Sequence, residues 1–217
     1  MNEKYIQSPK SLKLNYLLSS GEVSEKVIDV IETLTGQERL RKLSMAPLNG
    51  VFNQMGLFKS TKEWCPRCYK EHGKNIYEPL YWTINGVKSC VKHNVLLKNK
   101  CPQCKNTVPH ISGFHRIGYC SHCYYRFASE EEVTYFREIE DVWVGNNVAD
   151  LTRYSSLALG PITFNINYIF KRAVDLSGLR PAYFAKILGY PKSTIFYWYN
   201  NANKMSFQHL LRICYCL

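Results

Sequence analysis

The chain has 217 residues and a formal charge of +11, from 28 Lys and Arg against 17 Asp and Glu. That length holds one large or two to three small modules, and that charge points to an anionic partner, most simply nucleic acid. No stretch reaches the roughly 18 apolar residues of a membrane span, and the start lacks the apolar segment of a secretion signal, so the nine cysteines are read as thiols in a reducing cytoplasm rather than as a disulfide scaffold.

Residues 1–60 read as a helical N-terminal part. Val27, Ile28, Ile31 and Leu34 recur at the spacing of one helical face within residues 24–34. Thr35-Gly36-Gln37-Glu38 then reads as a capping box opening a second helix, with Leu40 and Leu43 on its inner face. A short apolar helix is expected near Val51–Leu57.

Residues 61–128 carry the strongest signal. Four Cys/His pairs share one internal spacing: Cys65/Cys68, Cys90/His93, Cys101/Cys104 and Cys120/Cys123. A two-residue gap lets one tight turn aim both side chains at a single metal. Eight such ligands make two tetrahedral zinc sites, one of three cysteines and a histidine and one of four cysteines, hence two Zn2+ per chain. Between the first two pairs, apolar residues flank Asn85-Gly86, the preferred type I′ turn, which predicts a hairpin carrying Cys90 and His93 back to Cys65 and Cys68. The ligands pair in chain order or crosswise; that hairpin favours chain order. A similar ribbon is expected over 113–127. His72, His110, His115 and His122 are spare; His122 lies inside a CxxC loop, where it is an alternative ligand, and is read as a solvated loop histidine. Both sets close at four protein ligands, whereas a catalytic zinc keeps a position open. The His-Glu-x-x-His protease motif and the His-x-Glu of deaminases are both absent. The chain is therefore read as not an enzyme.

Residues 129–160 read as an acidic segment and a linker, with Gly145 and Gly160-Pro161 marking the linker at 145–161. The charge itself is segregated: residues 61–128 hold 11 basic and 3 acidic groups, 129–150 hold 1 and 7, and 176–217 hold 5 and none.

Residues 161–217 are helical in pattern. Phe184, Ala185 and Leu188 face inward on one helix, Gly189 is its C-cap, and Pro191 starts the next. Ile195 and Trp198 anchor that second helix, while Leu210, Leu211 and Ile213 close the core from a further one. Cys214 is read as core and neither it nor Cys216 as a ligand. From Leu179 to Leu217 this pattern resembles the repressor type of helix-turn-helix. That resemblance implies double-stranded DNA contact by Lys192, Ser193, Thr194 and Tyr197, with Arg180 and Lys204 on the backbone. Two features differ from the family's pattern: Asn201 stands where a loop glycine is usual, and the recognition helix is aromatic, with Phe196, Tyr197 and Tyr199.

Thr35-Gly36-Gln37-Glu38-Arg39-Leu40-Arg41-Lys42-Leu43-Ser44, Trp64-Cys65-Pro66-Arg67-Cys68, Tyr81-Trp82 and the later Cys/His pairs together resemble the TniQ/TnsD family of transposition target selectors, over about residues 30–127. The resemblance implies a mainly α protein with small zinc-stapled β-hairpins, built as a helical N-terminal part, a tandem zinc-finger module and a C-terminal helix-turn-helix. It implies a bacterial cytoplasmic or nucleoid adaptor that binds attachment-site DNA or a guide-RNA effector complex and recruits an AAA+ ATPase. The family's proline- and acid-rich opening motif is not recognisable here, which reads as a shortened or diverged N-terminal part. The chain stops within the last helix of the helix-turn-helix, which reads as a truncated domain. Rival readings are a zinc-containing helix-turn-helix transcriptional regulator and a protein-interaction scaffold without nucleic-acid contact. Tyr77, Tyr81 and Trp82 are candidate exposed aromatics for a protein partner, with packing around the zinc hairpin as the alternative for all three and most of all for Trp82.

Overall fold

The computed structural model describes residues 22–48, 50–73, 75–111, 116–128, 135, 138–157, 165–200 and 204–216. These hold seven α-helices: α1 (Glu22–Thr35), α2 (Pro66–His72), α3 (Ile139–Leu157), α4 (Ile166–Ser177), α5 (Pro181–Leu188), α6 (Lys192–Tyr199) and α7 (Phe207–Cys216). One antiparallel pair, β1 (Ser89–Cys90) and β2 (Val95–Leu96), completes the regular structure described. The class is the expected one, mainly helical with a small metal-stapled hairpin.

The first helix follows its periodicity as far as Ile28, which is buried, but Leu34 is 80% exposed. The helix stops at once after it. Gly36 is left-handed at φ 65° and its N–H bonds the Glu32 carbonyl at 2.9 Å, the usual exit of a helix. Thr35 therefore closes α1 rather than capping a second helix, and the capping box does not form. The next turn, Leu40–Leu43, is a 3-10 helix headed by Arg39. Its Leu40 N–H is capped by Glu32 Oε1 at 2.7 Å, and Leu43 points outward, 66% exposed. The helix expected near Val51–Leu57 is a run of turns, because Gly50 and Gly56 both take positive φ. Val51, Phe52 and Leu57 still enter the core.

The Asn85-Gly86 hairpin is also corrected. Leu80–Thr83 is a 3-10 turn, not a strand, and only Gly86 of the pair has positive φ, whereas a type I′ turn needs both. Asn85 instead donates its N–H to the Leu57 carbonyl (2.8 Å) and its Nδ2 to that of Gly56 (2.7 Å). The hairpin that exists is β1–β2, and its turn is the ligand turn itself. Tyr81 and Trp82 are buried, Trp82 at 1% exposed; the packing alternative holds for them, and of the three aromatics Tyr77 is the exposed one.

The stretch read as a linker is largely α3. Gly145 lies mid-helix, and a Cβ there would stand 3.3 Å from Ser89 Oγ and 3.4 Å from Val91 Cγ1. The glycine permits close approach of α3 to β1, which is a packing reason rather than a flexible one. α3 also packs on the Leu80–Thr83 turn and on α7.

The helices α4 to α7 enclose a second core of Phe170, Phe184, Leu188, Ile195, Trp198 and Met205. Gly189 ends α5 at φ 71° and Pro191 precedes α6, as expected. Ile213 closes this core, but Leu211 packs against the first core and Leu210 against both. Cys214 is exposed, not core. Asn201 lies outside the described residues. The two cores meet along α7: Phe207 belongs to the first and its ring lies 4.9 Å from Phe52. Asn53 N–H donates to the Met205 carbonyl at 2.8 Å, Gln208 Nε2 to that of Gly56 at 2.8 Å, and Arg212 pairs with Glu140 at 3.3 Å.

Candidate metal centres

Chain-order pairing is what the structure shows. Cys65, Cys68, Cys90 and His93 form one cluster, and Cys101, Cys104, Cys120 and Cys123 the other. In the first, His93 Nδ1 lies 3.4, 3.3 and 3.6 Å from the Sγ atoms of Cys65, Cys68 and Cys90, and Cys68 and Cys90 are 3.6 Å apart. In the second, Cys101 and Cys123 are 3.6 Å apart and Cys104 and Cys120 3.7 Å. A tetrahedron with metal–sulfur bonds of about 2.3 Å has S···S edges of about 3.8 Å. These separations fit such an edge and are far beyond a disulfide bond. All nine cysteines are free thiols. The chain thus carries two zinc sites, each with four protein donors, the closed set of structural zinc.

Local chemistry explains why each pair aims inward. The first is on the N-terminal turn of α2, where Pro66 stands just inside the helix and Cys65 precedes it. The other three are knuckles of one design. Asn94 N–H bonds the Cys90 carbonyl at 2.8 Å, Lys105 that of Cys101 at 2.9 Å, and Tyr124 that of Cys120 at 3.0 Å. In each, the residue after the second ligand is left-handed: Asn94 at φ 51°, Lys105 at 61° and Tyr124 at 59°. The ribbon expected over 113–127 is present where described, as the Tyr119–Arg126 bridge and the bond from Phe127 N–H to the Gly118 carbonyl.

A residue that the sequence reading did not single out completes the first site. Glu71, three residues past Cys68 on α2, takes His93 Nε2 at 2.7 Å and is paired with Lys92. The carboxylate fixes the ring so that Nδ1 faces the metal, the familiar carboxylate–histidine–zinc arrangement. Hydrogen bonds from Lys92 and His93 hold its pKa down to about 2. The signal available in sequence was an acid one helical turn beyond a ligand. Tyr81 Oη approaches Cys90 Sγ at 3.8 Å, and His122 N–H donates to Cys120 Sγ at 3.4 Å. The Asn106 backbone pulls the Cys104 thiol down to about 7.

Nearby, Lys62 is 3% exposed and paired with Glu78 at 2.8 Å, and Tyr69 Oη donates to the same carboxylate. Burial lowers the Lys62 pKa, offset in part by Glu78. The two metal lobes are joined by the Trp64–Phe127 stack at 4.0 Å and by Lys62 N–H on the Val108 carbonyl at 2.7 Å. Of the spare histidines, His110 Nε2 contacts the Lys59 carbonyl and His72 stacks on Tyr77. His122 is exposed. His115 lies outside the described residues.

The candidates for DNA contact are dispersed over three elements. Lys192, Ser193 and Tyr197 are exposed on α6 and Thr194 is half-buried there. Arg180 heads α5 and is exposed. Lys204 is exposed just before α7, its Nζ 3.6 Å from where a Cβ on Gly50 would stand.

Residues 3–97 match the TniQ family model. The match takes in the N-terminal segment and the whole first metal site, and stops before Cys101. No curated protein matches the chain. No helix among the described residues is long and apolar enough to cross a membrane.

Proposed function

We propose, from the TniQ domain of residues 3–97 and its transposition-associated family, that this chain is a non-enzymatic adaptor that marks the insertion site on double-stranded DNA and recruits an AAA+ ATPase. The observation that carries the reading is the joining of that domain, through a shared core, to a basic helical unit. From Leu176 to Leu217 there are 5 basic residues and no acidic one. α5, the Gly189–Pro191 turn and α6 are read as a helix-turn-helix with α6 in the major groove, its N-terminal Lys192, Ser193 and Thr194 towards base edges. Arg180 and Lys204 would neutralise phosphates. The ATPase is assigned to the N-terminal end, where α1 and the following turn leave Leu34 and Leu43 exposed.

Binding of the full chain to its attachment-site duplex tests the DNA half. Lys192→Ala is expected to weaken binding to all sequences, and Thr194→Ala to relax preference at one base pair by about 1–3 kcal/mol. If neither alters binding, α6 is not in the groove. Capture of the partner ATPase by the full chain tests the other half. Leu34→Asp with Leu43→Asp is expected to abolish capture and leave DNA binding intact. Fragments are unsuited to this purpose, because α3 and α7 complete the first core. A guide-RNA effector complex would be the targeting partner if the chain binds no attachment-site sequence with preference.

A further inference from the structure

We infer that the second metal lobe is a sequence-independent grip on the phosphate backbone of duplex DNA, separate from α6. This rests on the reading of the chain as a DNA-binding adaptor, and it concerns a region that lies beyond the TniQ match. From Pro79 to Ser129 there is no Asp or Glu, against seven Lys and Arg. Four of those cations surround the second cluster. Lys100 precedes Cys101 and Lys105 follows Cys104, both exposed. Arg126 pairs across the ribbon with Tyr119, and Arg116 lies 4.3 Å over the ring of that same tyrosine. The ring holds the Arg116 guanidinium at the surface, so less entropy is lost when it meets an anion. None of the four has a carboxylate within ion-pair distance among the described residues. Tyr124, directly after the ligand Cys123 and 62% exposed, adds an aromatic face.

Neutralising the metal does not account for this surface. Zinc with four thiolates carries a net charge of −2, and the four cations exceed it. The first lobe makes the contrast. There Lys92 is paired with Glu71, Lys62 with Glu78 and Lys59 with Glu63. The surplus at the second lobe suits a polyanion of fixed charge spacing, such as DNA.

The test uses the full chain with Lys100, Lys105, Arg116 and Arg126 all replaced by Gln. Zinc content and binding to a duplex of arbitrary sequence are measured between about 50 and 200 mM salt. With both zincs retained, the plot of log affinity against log salt is expected to become shallower by about 0.9 for each cation that met a phosphate. An unchanged slope overturns the inference, as does an unchanged slope with lost binding to polyglutamate, which would assign the surface to an acidic protein. Lysine acetylation of the unaltered chain reads the same contact without substitution. Duplex is expected to protect Lys100 and Lys105, and no protection overturns the inference. Its failure is separable from that of the function: a chain that keeps the Thr194→Ala effect but not the slope change retains its groove contact and loses only this grip.

Discussion

The two zinc lobes use the same ligand spacing and differ in what surrounds it. In the first, Cys65, Cys68 and Cys90 are all buried, and they sit among Trp64, Tyr69 and Trp82 in the core that also holds Phe52, Val148 and Phe207. Its histidine is oriented by Glu71, and one ligand pair is mounted on a helix. In the second, Cys101 and Cys120 are buried in the same core but Cys104 and Cys123 are half-exposed, both pairs are on knuckles, and no carboxylate stands behind the ligands among the described residues. The same metal therefore does two jobs. In the first lobe it reinforces a hydrophobic core that reaches the C-terminal helices. In the second it staples a more exposed lobe, which adds Cys101, Val108, Cys120 and Phe127 to that same core.

That comparison is tested most severely by removing one thiolate from each site. Structural zinc contributes on the order of 10 kcal/mol of apparent folding energy. Cys101→Ser is expected to drop bound zinc from two to one and unfold its own lobe, while the first site and α3 to α7 stay folded. Cys65→Ser is expected to lose the first site's zinc and to unfold the chain cooperatively, because three ligands of that site are buried in the shared core. Zinc content, circular dichroism and hydrogen exchange on both variants read the difference. A local, confined response to Cys65→Ser would break it.

The legibility of these features tracks how local their causes are. The eight ligands, Gly189, Pro191 and the anchors Ile195 and Trp198 were legible because each is fixed by spacing or by the backbone preference of a single residue, whereas spacing left both ligand pairings open and chain order was favoured by an Asn85-Gly86 hairpin that does not form. The failures arise where a distant partner decides. Leu34 looked inward by periodicity, yet α1 ends at Gly36 and the side chain is left 80% exposed. Asn85-Gly86 looked like a hairpin, yet Asn85 is held by the backbone of Gly56, Leu57 and Phe58. Gly145 looked like a linker because glycine is usual there, and only the Ser89 contact shows that it is a packing glycine. Phe207 could not be assigned to a core some 150 residues earlier in the chain, since no spacing connects it to Phe52.

A smaller effect sharpens the comparison at the first site alone. Outer partners of a metal-bound histidine are worth about 10–100-fold in metal affinity. Glu71→Gln keeps the size of the side chain but removes the charge that faces His93 and Lys92. In a chelator competition the first site is expected to release zinc more readily by that factor, and the second site to be unmoved. Loss from both sites at once would mean that the lobes respond as one, and the proposed division between them would not stand.

The smallest effect separates the knuckles themselves. A left-handed backbone costs an ordinary L-residue roughly 1–2 kcal/mol, and Asn much less because its short side chain tolerates that region. The knuckle of the first lobe uses Asn94 at this position, whereas those of the second use Lys105 and Tyr124. The second lobe therefore carries backbone strain that the first avoids, held in place by the metal. Glycine relieves that strain but adds unfolded-state entropy, which returns part of the gain. Lys105→Gly and Tyr124→Gly are each expected to stabilise the second lobe by about 0.5 kcal/mol, read as slower zinc release to a chelator. Asn94→Gly is expected to be neutral or slightly destabilising at the first site. Equal responses at all three positions would show that ligand geometry, rather than residue preference, sets the left-handed turn, and that the two lobes do not differ in this respect.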